Sequence, residues 1–185
     1  MVSLPNSKTV SYEEWLRMPE VSDVIEEVVD GEIRIMPPAK LKHVRIVTRL
    51  NKALINQFDE TQVAVFTGSF GLIIRKAPLT SRVPDLAVFE LATLVEQDGY
   101  IHSAPQLAVE VLSPSNNRRE REEKLADYAA IGVPEVWVIS PEARTVEVFY
   151  HEDGYLRSTY TKDTGTLTPK LFPQVSVEIA KIWPD

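Results

Sequence analysis

The chain has 185 residues, 44% hydrophobic and 25% charged, the mix of an ordinary soluble globular fold with apolar mass for a sizeable core. It has no cysteine, which excludes disulfides, thiolate metal sites and cysteine nucleophiles, and its three histidines are few for a histidine-rich zinc centre. The net charge of -7 argues against nonspecific coating of nucleic acid, but is compatible with an enzyme that has a local basic patch and a cation between its carboxylates.

The first residues, MVSLPNSKTV, have no apolar leader core, and no run of about 18 apolar residues occurs anywhere. The expectation is a cytoplasmic protein without a membrane span. No repeat, low-complexity stretch or linker divides the chain. A single domain over 1–185 is expected, with a helix and hairpin at 11–38, a core at 40–160 and a C-terminal strand segment at 161–185.

SYEEWLRM opens with a capping box, Ser11 as N-cap and Glu14 three residues on, and predicts a helix from Tyr12 to Met18 stopped by Pro19. In VIEEVVDGEIRIM, Asp30-Gly31 between two β-rich runs predicts a two-residue hairpin with Glu27 opposite Arg34 as a cross-strand ion pair. HVRIVTRLNKALINQF is helical: Ile46, Leu50, Leu54 and Phe58 recur every four residues, with Val47 beside them and His43 on the same stripe. QVAVFTGSFGLIIRK predicts two strands around Gly68 and Gly71. RVPDLAVFE predicts another, with Pro84 at its start, where a missing N–H is tolerated.

The polar connection ELATLVEQDGYIHSAP follows, with room for one helical turn, and then the strand QLAVEVLS. PSNNRREREEKLADYAAIG predicts a helix capped by Ser115 or Asn116 and ended by Gly132. EVWVIS and TVEVFY form a hairpin through PEAR, and GYLRSTYT and SVEIAKIW close the chain as strands or edge pieces. This order predicts an α+β (α/β-like) fold, a mixed central β-sheet flanked by the two long helices, with an N-terminal β-hairpin.

Two strands share an oddity. VPDLAVF and LAVEVLS are apolar enough to be central, yet each carries one acid, Asp85 and Glu110. A lone carboxylate there costs several kcal/mol, of order, unless it is paired or metal-bound. If the strands are neighbours, two hard oxygen ligands meet at one site, a donor set that suits Mg²⁺ or Mn²⁺. The competing reading is that each acid caps a strand end or pairs with an arginine. On the next helix Glu120, Lys124 and Tyr128 recur every four residues and share one face; Lys124 is either a phosphate or water ligand or half of an ordinary Glu–Lys helix pair. Arg118, Arg119 and Arg121 are candidate phosphate contacts or solvated helix surface. His43 is a packed helical histidine or a proton shuttle, Glu32 a surface strand residue, and Tyr128 and Trp137 core aromatics.

VPD on one strand, then VEVLSPS, then a helix carrying Lys124 and a tyrosine, then GVPEVWVIS resemble the Uma-type family, restriction-endonuclease-like proteins of the PD-(D/E)XK nuclease superfamily. The resemblance runs from EEVVDGEIRIMPP through GYLRSTY. It implies a restriction-endonuclease-like core and a Mg²⁺- or Mn²⁺-dependent phosphodiesterase, with DNA as the expected substrate; because a double-strand cut needs two sites and two-fold assemblies are common, a homodimer is expected. It implies Asp85 and Glu110 as the motif acids and metal ligands, and the Val111 backbone carbonyl as a third. The motif's lysine position holds Leu112, and Lys124 on the following helix takes its place. Glu120 and Tyr128 would support the site, and His43 matches a histidine at the start of the first long helix. Whether Glu32 or Glu27 is the superfamily's further acid stays open. So do a catalytically inactive nuclease-fold binding or assembly module and a phosphodiesterase acting on RNA or nucleotides.

Overall fold

The computed structural model describes residues 9–19, 24–113, 118–151, 155–161 and 165–184. Among these, no helix is long and apolar enough to cross a membrane. The chain begins with α1 (Tyr12–Leu16), whose capping box has both of its reciprocal bonds, and continues into the hairpin β1 (Ile25–Val29) and β2 (Glu32–Met36). Asp30 and Gly31 both have positive φ, 52° and 83°, as a tight two-residue turn requires. The expected register puts Glu27 opposite Arg34, but the two side chains do not pair. Glu27 is buried on Arg82, and Arg34 reaches Glu123 at 3.1 Å. The expected cross-strand pair is thereby corrected: the buried arginine is the stronger partner for a desolvated carboxylate.

Then come α2 (Leu41–Ile55), β3 (Val63–Thr67), β4 (Leu72–Lys76), β5 (Leu79–Arg82), β6 (Leu86–Glu90), β7 (Glu96–Gln97), β8 (Tyr100–Ile101) and β9 (Leu107–Val111). After them lie α3 (Arg118–Ala130), β10 (Glu135–Ser140), β11 (Thr145–His151), β12 (Tyr155–Thr161), β13 (Thr166–Leu167), β14 (Val177–Glu178) and α4 (Ile179–Ile182). The two cap residues expected for α3, Ser115 and Asn116, lie outside the described residues. Gly132 ends that helix with φ 82°.

The strands form two six-stranded sheets, ordered β2-β1-β5-β4-β8-β7 and β12-β11-β10-β9-β6-β3, and β13 pairs with β14. Both sheets are mixed: β4 and β8 run parallel in the first, and β9 and β10, joined across α3, run parallel in the second, while the other pairs of each are antiparallel. Three expectations are corrected. Leu79–Arg82 is a strand of its own, the 90–105 connection holds the small β7–β8 hairpin rather than a helical turn, and SVEIAKIW turns from β14 into the short helix α4.

Residues of β9 alternate between two cores. Leu107, Val109 and Val111 face a cluster with Ile46, Leu50 and Leu54 of α2, all three fully buried. Ala108 packs in the opposite cluster with Tyr128 of α3, Ala87, Phe89 and Val138. The two-residue period therefore turns Glu110 toward α3. Each fully buried leucine of the α2 stripe contributes about 1.5–3 kcal/mol. Phe58 continues the stripe past the helix end, edge-on to Phe172 at 4.9 Å.

Candidate active site

The site forms where the β6–β9 ladder runs out. Leu86 pairs with Val109, the last matched pair at this end. Beyond it the chain of Val83, Pro84 and Asp85 no longer supplies a strand, and the Asp85 carboxylate accepts the Val111 N–H at 2.6 Å instead. Asp85 is thus held by the backbone of the strand that carries Glu110. From the other side of the sheet, the start of α2 brings His43, whose Nε2 lies 3.1 Å from Asp85 Oδ2. His43 Nδ1 is buried and has no hydrogen-bond partner among the described residues.

Glu110 is buried to 9% relative exposure inside β9. Lys124 Nζ stands 2.9 Å from its Oε2, and the Tyr128 hydroxyl donates a short hydrogen bond to its Oε1. The i+4 spacing of Lys124 and Tyr128 on α3 sets both groups over the same carboxylate. Lys124 also lies 2.9 Å from Glu27 Oε1. A cavity of ≈ 20 Å³, about the volume one water needs, is lined by Glu110, Val111, Glu120, Arg121, Lys124 and Tyr128.

The charges act on one another. Burial, then the nearby Asp85 and Glu27, push the Glu110 carboxyl up to about 7 against the opposing pull of Lys124 and the Tyr128 hydrogen bond. Burial disfavours the Lys124 ammonium, but Glu110, Glu27 and Asp85 outweigh it and hold the lysine above its ordinary value. Burial alone would raise Glu27, yet Lys124 and Arg82 bring it below the ordinary glutamate range. Burial likewise lowers His43, and the hydrogen bond and charge of Asp85 reverse that to a net rise.

Asp85, Glu110, Lys124 and His43 therefore lie together, with Tyr128 in direct contact and Glu120 and Arg121 at the cavity wall. Leu112, at the motif's lysine position, continues the ladder, its N–H donating to the Ile139 carbonyl at 2.8 Å, and gives the cavity an apolar wall. Glu32 lies apart: it is exposed and lines a separate groove with Arg34, Arg75 and Arg119. Arg118 and Arg119 point into solvent and pair with Glu122 and Glu123 one turn on, and Arg121 pairs with Glu147 at 3.2 Å. Arg82 and Asp127, which carry Glu27, had no signal in the sequence beyond an arginine inside the short run LTSRV.

Among the described residues no group of three His, Asp or Glu side chains is arranged as a metal cage. The donor set nevertheless fits a hard divalent cation, which binds through one or two carboxylates, a carbonyl and water. Asp85 and Glu110 both act on the Lys124 charge, and burial chiefly pushes the Glu110 carboxyl up to about 7, a cost to its charged form that a bound cation would offset.

A family model for Uma2, described as "Putative restriction endonuclease", matches residues 12–180. The chain belongs to the Uma2 family. The Uma2 match spans the hairpin, both long helices and every candidate site residue, and it ranks the chain with nucleases. Among solved structures the fold is similar to a "putative nuclease belonging to DUF820" from Anabaena variabilis, with a TM-score of 0.77 and 20% sequence identity over 94% of this chain and 97% of that one. At that identity the likeness shows a shared fold. No curated protein matches the sequence.

Proposed function

We propose that the chain is a divalent-cation-dependent DNA endonuclease that hydrolyses phosphodiester bonds, with Asp85, Glu110 and the Val111 carbonyl as the ligands of Mg²⁺ or Mn²⁺. The observation that carries this reading is Asp85 held on the Val111 N–H, one residue from Glu110 on β9, with Lys124 2.9 Å from the Glu110 carboxylate. A bound ion would supply positive charge to the scissile phosphate and acidify water.

The chain's own groups do the rest. Asp85 is fixed by the Val111 N–H, so its carboxylate needs no reorganisation. Lys124 has ammonium protons beyond those given to Glu110 and Glu27, and donates to the attacking water or to a non-bridging phosphate oxygen as charge develops there. Tyr128 orients Glu110 from the opposite oxygen. His43, whose Nε2 lies 3.1 Å from Asp85 Oδ2, donates to that carboxylate and steadies it. Arg121, at the cavity wall, is the nearest of the three helix arginines for a flanking phosphate, with Arg118 and Arg119 further out. A double-strand cut takes two such sites, and a two-fold dimer is the assembly this reading expects.

Supercoiled plasmid incubated with Mn²⁺, Mg²⁺ or chelator tests it. Wild type nicks and linearises DNA with either metal and not with chelator, and Asp85→Ala and Lys124→Ala do so far more slowly. Equal nicking by all three proteins would mean a contaminant and end the assignment; cleavage of RNA but not DNA would change the substrate.

A further inference from the structure

Lys124 is held between two carboxylates, and only one of them belongs to the proposed ion site. We propose that Glu27 and Arg82 are positioning residues for Lys124: Glu27 is the anchor that keeps the ammonium in place when Glu110 turns to a cation, and Arg82 locks that anchor to the helix that bears the lysine. The proposal rests on the nuclease reading for its catalytic consequence, and on geometry alone for the anchoring.

Glu27 is buried in β1 with both oxygens occupied. Its Oε1 accepts from Lys124 at 2.9 Å and from the Val83 N–H at 3.2 Å, and its Oε2 accepts from Arg82 at 2.9 Å. A swing toward a metal would break all three contacts, so Glu27 is a poor candidate for the further metal-binding acid. Arg82, 3% exposed in its side chain, makes a second contact through Nε to Asp127 Oδ2 at 2.8 Å. Asp127 lies three residues after Lys124 on α3, on a neighbouring part of the same helix surface. One buried guanidinium thereby fixes both the acceptor of the lysine and the helix from which the lysine projects. Its planar fork suits two carboxylates at once, which a lysine would not reproduce. Arg75, 3.6 Å from the other oxygen of Asp127 and bonded to Asp30 in the hairpin turn, extends the alternating charges to the surface.

The need for a second anchor follows from electrostatics. A divalent cation on Glu110 repels the adjacent ammonium and takes up the oxygen charge that held it. Glu27, lying on the β1 side and neutralised in part by Arg82, is the partner left to keep Lys124 aimed into the cavity.

The test compares wild type, Glu27→Gln, Glu27→Asp, Asp127→Asn, Lys124→Met and the Glu27→Gln/Lys124→Met double variant. Asp127→Asn stands in for removal of Arg82, whose full burial threatens the fold. Single-turnover DNA cleavage in saturating Mn²⁺ should fall about 10- to 100-fold in Glu27→Gln, with the DNA KM unchanged and part of the rate restored in Glu27→Asp. Asp127→Asn should lower the same rate in the same way. On the Lys124→Met background Glu27→Gln should add less than about 2-fold, because both act through one group. Mn²⁺ affinity by calorimetry should be the same in Glu27→Gln as in wild type. Loss of Mn²⁺ binding in Glu27→Gln, or full additivity with Lys124→Met, would overturn the proposal. If wild type cleaves nothing, the nuclease reading fails and the anchoring is judged by NMR of the Lys124 ammonium. On a Glu110→Gln background, which removes the other carboxylate at the ammonium, a slowly exchanging resonance that is lost on adding Glu27→Gln supports the anchor, and one that persists refutes it.

Discussion

Replacing Glu110 by glutamine removes the one carboxyl whose protonation is most strongly altered by the fold. Burial pushes that group from 4.5 up to about 7, so between those values the folded protein binds more protons than the unfolded chain. Stability then falls as pH rises through the window and levels off above about 7. At about 1.4 kcal/mol for each pH unit between 4.5 and about 7, the contribution lost is at most about 3–4 kcal/mol. His43 and Glu135 are raised as well and slope in the same direction, whereas Glu27 and Glu123 are lowered and slope in the other. Only the difference between wild type and Glu110→Gln isolates the one group. Urea denaturation in chelator at steps from pH 4.5 to 8 measures it. Wild type should lose stability relative to Glu110→Gln across the window, and the variant should be the more stable protein at pH 8. Parallel curves for the two proteins would refute the claim that Glu110 is held protonated by burial.

Mn²⁺ should bind more weakly at pH 6 than at pH 8, because it must displace the Glu110 proton, and calorimetry in two buffers of different ionisation enthalpy should detect proton release at pH 6. Tyr128→Phe removes the hydroxyl bonded to Glu110 Oε1 and should cost about 1.5–3 kcal/mol above pH 7, where the acceptor is charged, and less at pH 5; urea denaturation at the two pH values checks it. Gly132→Ala should cost about 1–2 kcal/mol by the same assay: φ is 82°, and an added Cβ meets no atom within 4 Å, so the whole cost is backbone strain rather than a clash.

Much of this fold is legible in the chain because its patterns are local. The α2 stripe reads directly from a four-residue recurrence of Ile46, Leu50 and Leu54, and the hairpin from Asp30-Gly31, since a two-residue turn with two positive φ angles admits few other pairs. Two acids in successive apolar runs are the sequence signal for Asp85 and Glu110, and the pairing of β6 with β9 sets Asp85 on the Val111 N–H, one residue from Glu110. β5 is hidden because its burial is tertiary. Thr80, Ser81 and Arg82 are polar and show no apolar alternation, yet two flanking strands and the acids Glu27 and Asp127 bury them. The small β7–β8 hairpin and the helix α4 are too short to carry a period. Lys124 could be seen as a helix lysine with a possible glutamate partner on its own helix. Its real partners, Glu110 and Glu27, are 14 and 97 residues away, and only the crossing of α3 over β9 and β1 brings them to it.

The most direct measurement is a crystal of the protein soaked in Mn²⁺ and recorded at the manganese absorption edge. The account predicts one anomalous peak about 2.1 Å from carboxylate oxygens of both Asp85 and Glu110, with Lys124 still on Glu27. A peak held by Glu27, or no peak at this site with full occupancy elsewhere, would contradict it.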